Sequence, residues 1–275
     1  MKQLEAVKLK ENKKVIIFYF TGTGNSLYVA KEISKSFPQC DIVAIPQAID
    51  KKEFDYTDYS EVGFVMPLYF MGIPVMVNEF LSKLCIPNAT YIFSVITRAY
   101  TKGLIFTEIN KTLMKQGKTL SYGKYISFPD CYIRWDEAHS EESQQKVFNK
   151  AIDKLEVIKQ ELLEGKTYVQ KEGVIINTTS SIINKVWKSR LSSINKTFKV
   201  NENCIQCGIC IRTCPAKNIK LRNNKLEWDK KCQDCMACVQ SCPYKAIYFN
   251  SRTKNKRRYR NPNISRNELF YWQSI

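Results

Sequence analysis

Eight cysteines between positions 204 and 242 carry the most demanding chemistry in the chain. They read Cys204-x2-Cys207-x2-Cys210-x3-Cys214-Pro215 and Cys232-x2-Cys235-x2-Cys238-x3-Cys242-Pro243, the second run starting 28 residues after the first. The same offset carries Lys217 onto Lys245 and Ile219 onto Ile247, so a whole unit repeats. Three thiolates at x2 intervals let one loop cup three corners of a cubane iron–sulfur core, while the fourth, followed by proline, points away and ligates the other core. The spacing therefore groups Cys204, Cys207, Cys210 and Cys242 around one 4Fe–4S cluster, and Cys232, Cys235, Cys238 and Cys214 around a second. A zinc ribbon would need only four ligands and no Cys-Pro ends. A disulfide framework would suit a secreted chain. Gly208 lets the backbone pass close to a sulfur.

A second chemical feature lies near the start. Val15–Phe20 is an apolar run of strand length, as a buried parallel strand should be. It leads into Thr21-Gly22-Thr23-Gly24-Asn25-Ser26 and then a helically spaced segment, Leu27 to Ile33. Strand, Gly-rich turn and helix together present backbone amides and a positive helix end to a phosphate. The Gly-Lys-Ser/Thr of a P-loop is absent. A dinucleotide fingerprint fails because Leu27 stands where a third small residue should be. A loop dense in hydroxyls remains, able to bind a monophosphate through Thr21, Thr23 and Ser26.

Further strand runs follow at Cys40–Ile45, Val62–Met66, Tyr91–Ile96 and Thr119–Pro129. They alternate with helical patterns at Val75–Leu84, at Leu104, Phe106, Ile109 and Leu113, and at Val147, Ala151, Leu155, Ile158 and Leu162. The alternation predicts an α/β fold with a doubly wound, parallel, five-stranded sheet, its ligand at the switch point. The expected layout is a polar extension (1–12), the α/β domain (13–165), a helical connector (166–198), the cysteine-rich α+β domain (199–250) and a basic C-terminal tail (251–275). In the connector, Ile182, Ile183, Val186, Trp187, Leu191 and Ile194 fall at helical spacing, as a helix docking the two domains would. In the cysteine-rich domain, Ile219–Leu221 and Lys225–Trp228 flank Asn223-Asn224 as a hairpin.

These motifs resemble known families. The cysteine unit resembles bacterial-type two-cluster ferredoxins. The 21–26 loop resembles the FMN phosphate loop of flavodoxins, Ser/Thr-x-Thr-Gly-Asn-Thr/Ser. Pro67-Leu-Tyr69-Phe-Met-Gly72-Ile-Pro74 resembles the loop that wraps the isoalloxazine ring in flavodoxin-like proteins. The whole chain thus resembles the flavodoxin–ferredoxin fusions. The resemblance implies FMN as a cofactor beside two 4Fe–4S clusters. It implies FMN contacts from Thr21, Gly22, Thr23, Gly24, Asn25 and Ser26, from Pro67, Tyr69 as the stacking aromatic, and Gly72, and from Thr97 after the fourth strand. Ala99 departs from a common glycine in that last loop.

Composition bounds the rest. At 275 residues, 44% hydrophobic and 25% charged, the chain has room for two globular domains. It contains no apolar run long enough to span a membrane and no signal-peptide core at its N-terminus. Cluster thiolates imply a reducing, cytoplasmic setting. Three further cysteines, Cys40, Cys85 and Cys131, read as buried free thiols, and His139 as an exposed loop residue. The formal charge of +17 falls to roughly +11 once ligating thiolates and a flavin phosphate are counted, which suits acidic redox partner proteins. The tail Ser251–Arg260 is dense in positive charge, yet its interleaved aromatics suit packing or partner docking better than nucleic acid. No Ser/His/Asp set or paired carboxylates suggest hydrolysis. The expected function is electron transfer between clusters, FMN and partner proteins. The competing expectation is an FMN-dependent reductase of a small substrate, fed by its own ferredoxin domain.

Overall fold

The computed structural model describes residues 13–87, 90–172 and 174–273, so most of the expected polar extension lies outside the described residues. The α/β part runs β1 (Lys14–Tyr19), α1 (Asn25–Ser34), β2 (Gln39–Ala44), α2 (Ile45–Lys51), β3 (Glu61–Pro67), α3 (Val75–Lys83), β4 (Tyr91–Arg98), α4 (Ile105–Met114), β5 (Tyr122–Ser127), α5 (Glu141–Leu163) and β6 (Tyr168–Val169). The strands form one parallel sheet in the order β2-β1-β3-β4-β5-β6.

The sheet has six strands rather than the expected five. β6 adds two residues at the edge, with Tyr122 opposite Tyr168 and Gly123 opposite Val169. So short a strand, inside the lysine-flanked stretch Lys166-Thr-Tyr-Val-Gln-Lys171, carries no periodicity to read; pairing with β5 makes it a strand. It falls within the stretch expected to be connector.

Alternation along each strand divides the core into two layers. Ile16, Phe18 and Phe20 point to one face, where Phe64 and Met66 meet Val77, Phe80 and Leu81 of α3 and Ile109 and Leu113 of α4. Val15 and Ile17 point to the other, against Val29, Ala30 and Ile33 of α1 and Leu155, Ile158 and Leu162 of α5. Helices on both faces are why these strands read as continuous apolar runs. α5 starts at Ser140, whose side chain accepts from the Ser143 amide, with Glu141 and Glu142 in the first turn complementing the helix dipole.

α6 (Val174–Ile194) leads from the sheet to the cysteine-rich part. That part holds β7 (Lys199–Val200), α7 (Ile209–Arg212), the hairpin β8 (Ile219–Arg222) and β9 (Lys225–Trp228), α8 (Ala237–Ser241), β10 (Ile247–Tyr248) and α9 (Ser251–Lys254). β7 pairs antiparallel with β10, and β8 with β9. Asn223 and Asn224 turn the hairpin at φ 47° and 58°, the double left-handed turn that suits a two-residue connection. The sequence repeat is also a backbone repeat. Gln206 and Asp234, Gly208 and Met236, and Lys217 and Lys245 occupy left-handed conformations in matching positions. Only Gly208 adopts that geometry without a steric cost. In the other five, the tertiary structure holds the conformation.

The tail packs back onto the body. Ile264 and Leu269 form a small core with Leu27 of α1, and Lys31 pairs with Glu268 at 2.6 Å. Among the described residues, no helix is long and apolar enough to cross a membrane.

Candidate functional site

The eight cysteines stand around two cavities. One is lined by Cys204, Cys207, Cys210 and Cys242, with Ile205 and Tyr244 at its edge. The other is lined by Cys214, Cys232, Cys235 and Cys238, with Trp228 and Phe198. Each takes three cysteines from one run and the fourth from the other, which is the crossing that the spacing implies. Among the described residues, no group of three or more His, Cys, Asp or Glu side chains is gathered closely enough to hold a single metal ion. The fourth cysteines are held alike: the Asn218 amide donates to Cys214 Sγ at 3.3 Å, and the Ala246 amide to Cys242 Sγ at 3.4 Å. Burial pushes the thiols of Cys210 and Cys232 up to about 12 and raises those of Cys214, Cys235 and Cys238. Iron binding there would displace those protons.

At the carboxyl ends of β1, β3, β4 and β5 lies a larger cleft of about 410 Å³, open on one side. Thr21, Gly22, Thr23, Asn25, Ser26, Pro67, Tyr69 and Thr97 all line it, eight of the ten positions expected to contact FMN. The floor fits a phosphate. The α1 N-terminus has Gly24 as its N-cap, at φ 101°, with no side-chain cap and no acidic residue in the first turn, leaving orphan amides for an anion. Ser26 Oγ and Thr97 Oγ1 share a hydrogen bond at 2.8 Å, and Thr21 Oγ1 accepts from the Gly24 amide at 3.0 Å.

Gly24 and Gly72 are not among the cleft-lining residues. A Cβ on Gly24 would come within 3.0 Å of the Asn261 side chain, and one on Gly72 within 2.5 Å of Asn184; each glycine admits a packed neighbour. Asn25 lines the cleft, but its Oδ1 already accepts from Tyr259 and Asn261 of the tail. Gly22 serves two purposes: a Cβ there would come within 2.2 Å of the Cys235 carbonyl oxygen, so its bareness lets the phosphate loop abut the cysteine loop.

Tyr69 is wedged into the core side of the cleft, edge-on to Phe20 at 6.0 Å and to Trp187 of α6 at 6.3 Å. Phe70 follows it at φ 44° and Met71 at φ 65°, a tight turn closed by paired Tyr69–Gly72 backbone hydrogen bonds. α6 clamps this turn. Asn184 Nδ2 donates to the carbonyls of Tyr69 (3.3 Å) and Phe70 (3.1 Å), and Trp187 stacks on Phe70 at 4.9 Å. The turn thereby presents Phe70 to Tyr132 and Trp135 from the β5–α5 loop, at 5.2 and 5.3 Å. These aromatics line the cleft with Tyr100, and sequence reasoning gave none of them a role. The signal available was the aromatic density of Cys131–Trp135. Cys131 is not a core thiol; it lines the cleft, and burial pushes its thiol up to about 11. His139, half-buried, hydrogen-bonds Tyr100 at the rim.

Asp234, Cys235 and Met236 of the cysteine loop also line the cleft, and Cys235 and Met236 line the second cysteine cavity as well. Asp234, its side chain fully buried, accepts from Arg134 Nε at 2.9 Å and Tyr132 Oη at 2.6 Å. Burial raises its pKa, and Arg134 opposes the rise.

A doubly wound sheet with a hydroxyl-rich phosphate loop, joined to a repeated four-cysteine unit, defines a flavodoxin-type domain fused to an iron–sulfur domain. Residues 16–124 match the flavodoxin domain model, and residues 196–257 match the 4Fe–4S dicluster domain model. The chain is a flavodoxin–ferredoxin fusion. No curated protein sequence matches it. Among solved structures it is similar to the two-electron reduced flavodoxin of Megasphaera elsdenii, with 17% identity over 40% of this chain and 84% of that one, and a TM-score of 0.33. It is similar also to a flavoprotein in complex with FMN from Lactobacillus acidophilus NCFM, with 13% identity over 41% and 93% and a TM-score of 0.34. A third is the rubredoxin oxygen:oxidoreductase of Desulfovibrio gigas, with 14% identity over 58% and 40% and a TM-score of 0.35.

Proposed function

We propose that this chain is an electron-transfer iron–sulfur flavoprotein that passes electrons between two 4Fe–4S clusters, FMN and partner redox proteins. One observation carries the reading: Cys235 and Met236 form a wall common to the second cysteine cavity and the flavin cleft. When bound, the clusters supply one-electron steps and FMN couples them to one- or two-electron chemistry. Cys235 would hold iron on one side of the wall while its backbone packs on Gly22 of the phosphate loop on the other. α6 and the tail then hold the two domains in register, so exchange needs no diffusive encounter.

The first cysteine cavity shares no lining residue with the flavin cleft and lies beside exposed Ile205 and Tyr244. It is the natural port for an outside partner. With a formal charge of +17, the chain would be steered toward acidic carriers, in a salt-dependent way. The tail's arginines favour packing over nucleic-acid binding: Arg257, Arg258, Arg260 and Arg266 donate to the carbonyls of Ala138, Ile247, Ile264 and Ser241.

The FMN-dependent reductase is the second reading. It is favoured by the cleft mouth, where Trp135 is 74% and Tyr100 65% exposed, a surface that a planar substrate could cover. Anaerobic purification with iron, sulfide and FMN analysis, followed by a reductive titration, tests the first reading. About eight irons, eight sulfides and one FMN per chain, all reducible, is the expected result. Zinc in place of iron in a sample never exposed to air would overturn it. Rapid reduction by NAD(P)H and turnover of a small acceptor without a protein carrier would favour the reductase.

A further inference from the structure

The basic tail holds one arginine whose surroundings differ from those of its neighbours. Arg258 Nη2 donates to the Ile247 carbonyl at 3.0 Å, and Ile247 lines the first cysteine cavity. The next residue, Tyr259, is anchored by its amide to Gln240 Oε1 at 2.9 Å. Gln240 lies on α8, between Cys238 of the second cavity and Cys242 of the first. The guanidinium is thus half-buried against the segment that joins the two four-cysteine sites. Its Nε and Nη1 are buried, with no acceptor among the described residues. Two orphan donors on a buried cation are costly unless something not yet counted accepts them.

We propose that Arg258 sets the reduction potential of the two-cluster unit, as a fixed cation whose unmatched N–H groups would donate to the sulfides of a bound cluster. The inference rests on the reading that these cysteines hold clusters. Each cluster gains one negative charge on reduction, with no bond made or broken. A nearby positive charge and N–H···S hydrogen bonds both favour that added charge. Burial works against the guanidinium's charge, and Cys242 and then Cys238 support it. Arginine keeps its charge where a lysine could lose it, and its fork offers donors in more than one direction.

The test uses the anaerobic full-length holoprotein and its R258Q and R257Q variants, with cluster midpoint potentials read by EPR-monitored redox titration. R258Q should disfavour cluster reduction at least tenfold, a fall of about 59 mV for a one-electron couple, with iron and sulfide content unchanged. R257Q removes an equal charge from the neighbouring, more exposed arginine and should leave the potentials in place. Unmoved potentials in R258Q, or an equal shift in R257Q, would overturn the proposal. Should R258Q fail to retain its clusters, R258K decides: the charge stays and the fork is lost, so a fall of smaller size is expected and an unchanged potential overturns it. A wild-type protein without iron and sulfide would instead remove the underlying cluster reading.

Discussion

Tyr259 and Asn25 are 234 residues apart in the chain, yet the tyrosine hydroxyl donates to Asn25 Oδ1 at 2.7 Å in a buried setting. Asn261 Nδ2 donates to the same oxygen at 3.0 Å, and its amide to the Thr23 carbonyl at 2.8 Å. Tyr271 Oη donates to the Thr21 carbonyl at 2.7 Å, and Trp272 Nε1 to the carbonyl of Cys214 at 2.7 Å. The tail therefore braces the phosphate loop and a cysteine-cavity residue together.

Removing single struts should loosen the flavin before it touches the clusters. Each buried hydrogen bond is worth about 1 kcal/mol net, so Y259F should weaken FMN binding several-fold. N261A, which loses one side-chain donor, should do likewise. Flavin-fluorescence titration of the apoflavin protein measures both. Truncation after Lys256 should weaken binding far more, while Gln273→Ala, at an exposed position beyond the last strut, should have no effect.

Serine replacements should separate the two cysteine sites. C207S should remove one cluster and C232S the other, each taking iron from about eight to about four per chain. C235S should also remove the second, and because that site's loop packs on Gly22, C232S and C235S should both alter FMN affinity while C207S should not. Metal analysis and flavin binding on anaerobic samples check this. Equal loss of flavin in C207S would contradict the shared wall.

The Arg134–Asp234 pair is buried, with side chains 13% and 0% exposed. R134M leaves a buried carboxylate without its cation and should cost roughly 3–5 kcal/mol. The double variant R134M/D234N should recover much of that loss. Urea denaturation of the three proteins gives the coupling. A single variant as stable as wild type would mean that the pair contributes nothing.

Acid should act through Glu161. Burial tends to raise its pKa, but hydrogen bonds from Lys124, Lys166 and Tyr122 outweigh it and bring it down from 4.5 to about 2. A depressed carboxylate stabilises the fold above its unfolded value, and the contribution is lost as pH falls from about 4.5 toward 2. The amount is on the order of 3 kcal/mol at most. E161Q should be less stable than wild type at pH 7, with the gap closing below pH 3. Thermal unfolding of the isolated apoprotein across that range measures it.

What could be read from the amino-acid order was the chemistry held by local pattern. Both cysteine runs, the 21–26 loop, the five longer strands and the helices between them depend on spacing within one segment, and spacing is visible in a linear string. The crossing of Cys214 and Cys242 was legible too, because a three-residue gap ending in proline cannot close on its own loop. The sixth strand was not, since two residues acquire their strand character only from β5. Nor were the roles of Gly24 and Gly72, whose missing side chains make room for Asn261 and Asn184 from distant segments. Most of what makes the site one unit lies in the same class. The Cys235–Gly22 approach, the aromatic wall of Phe70, Tyr132 and Trp135, the α6 clamp and the tail brace are contacts between segments far apart in the chain. Such contacts are selected by packing two domains against each other, and no period in the sequence encodes which surfaces meet.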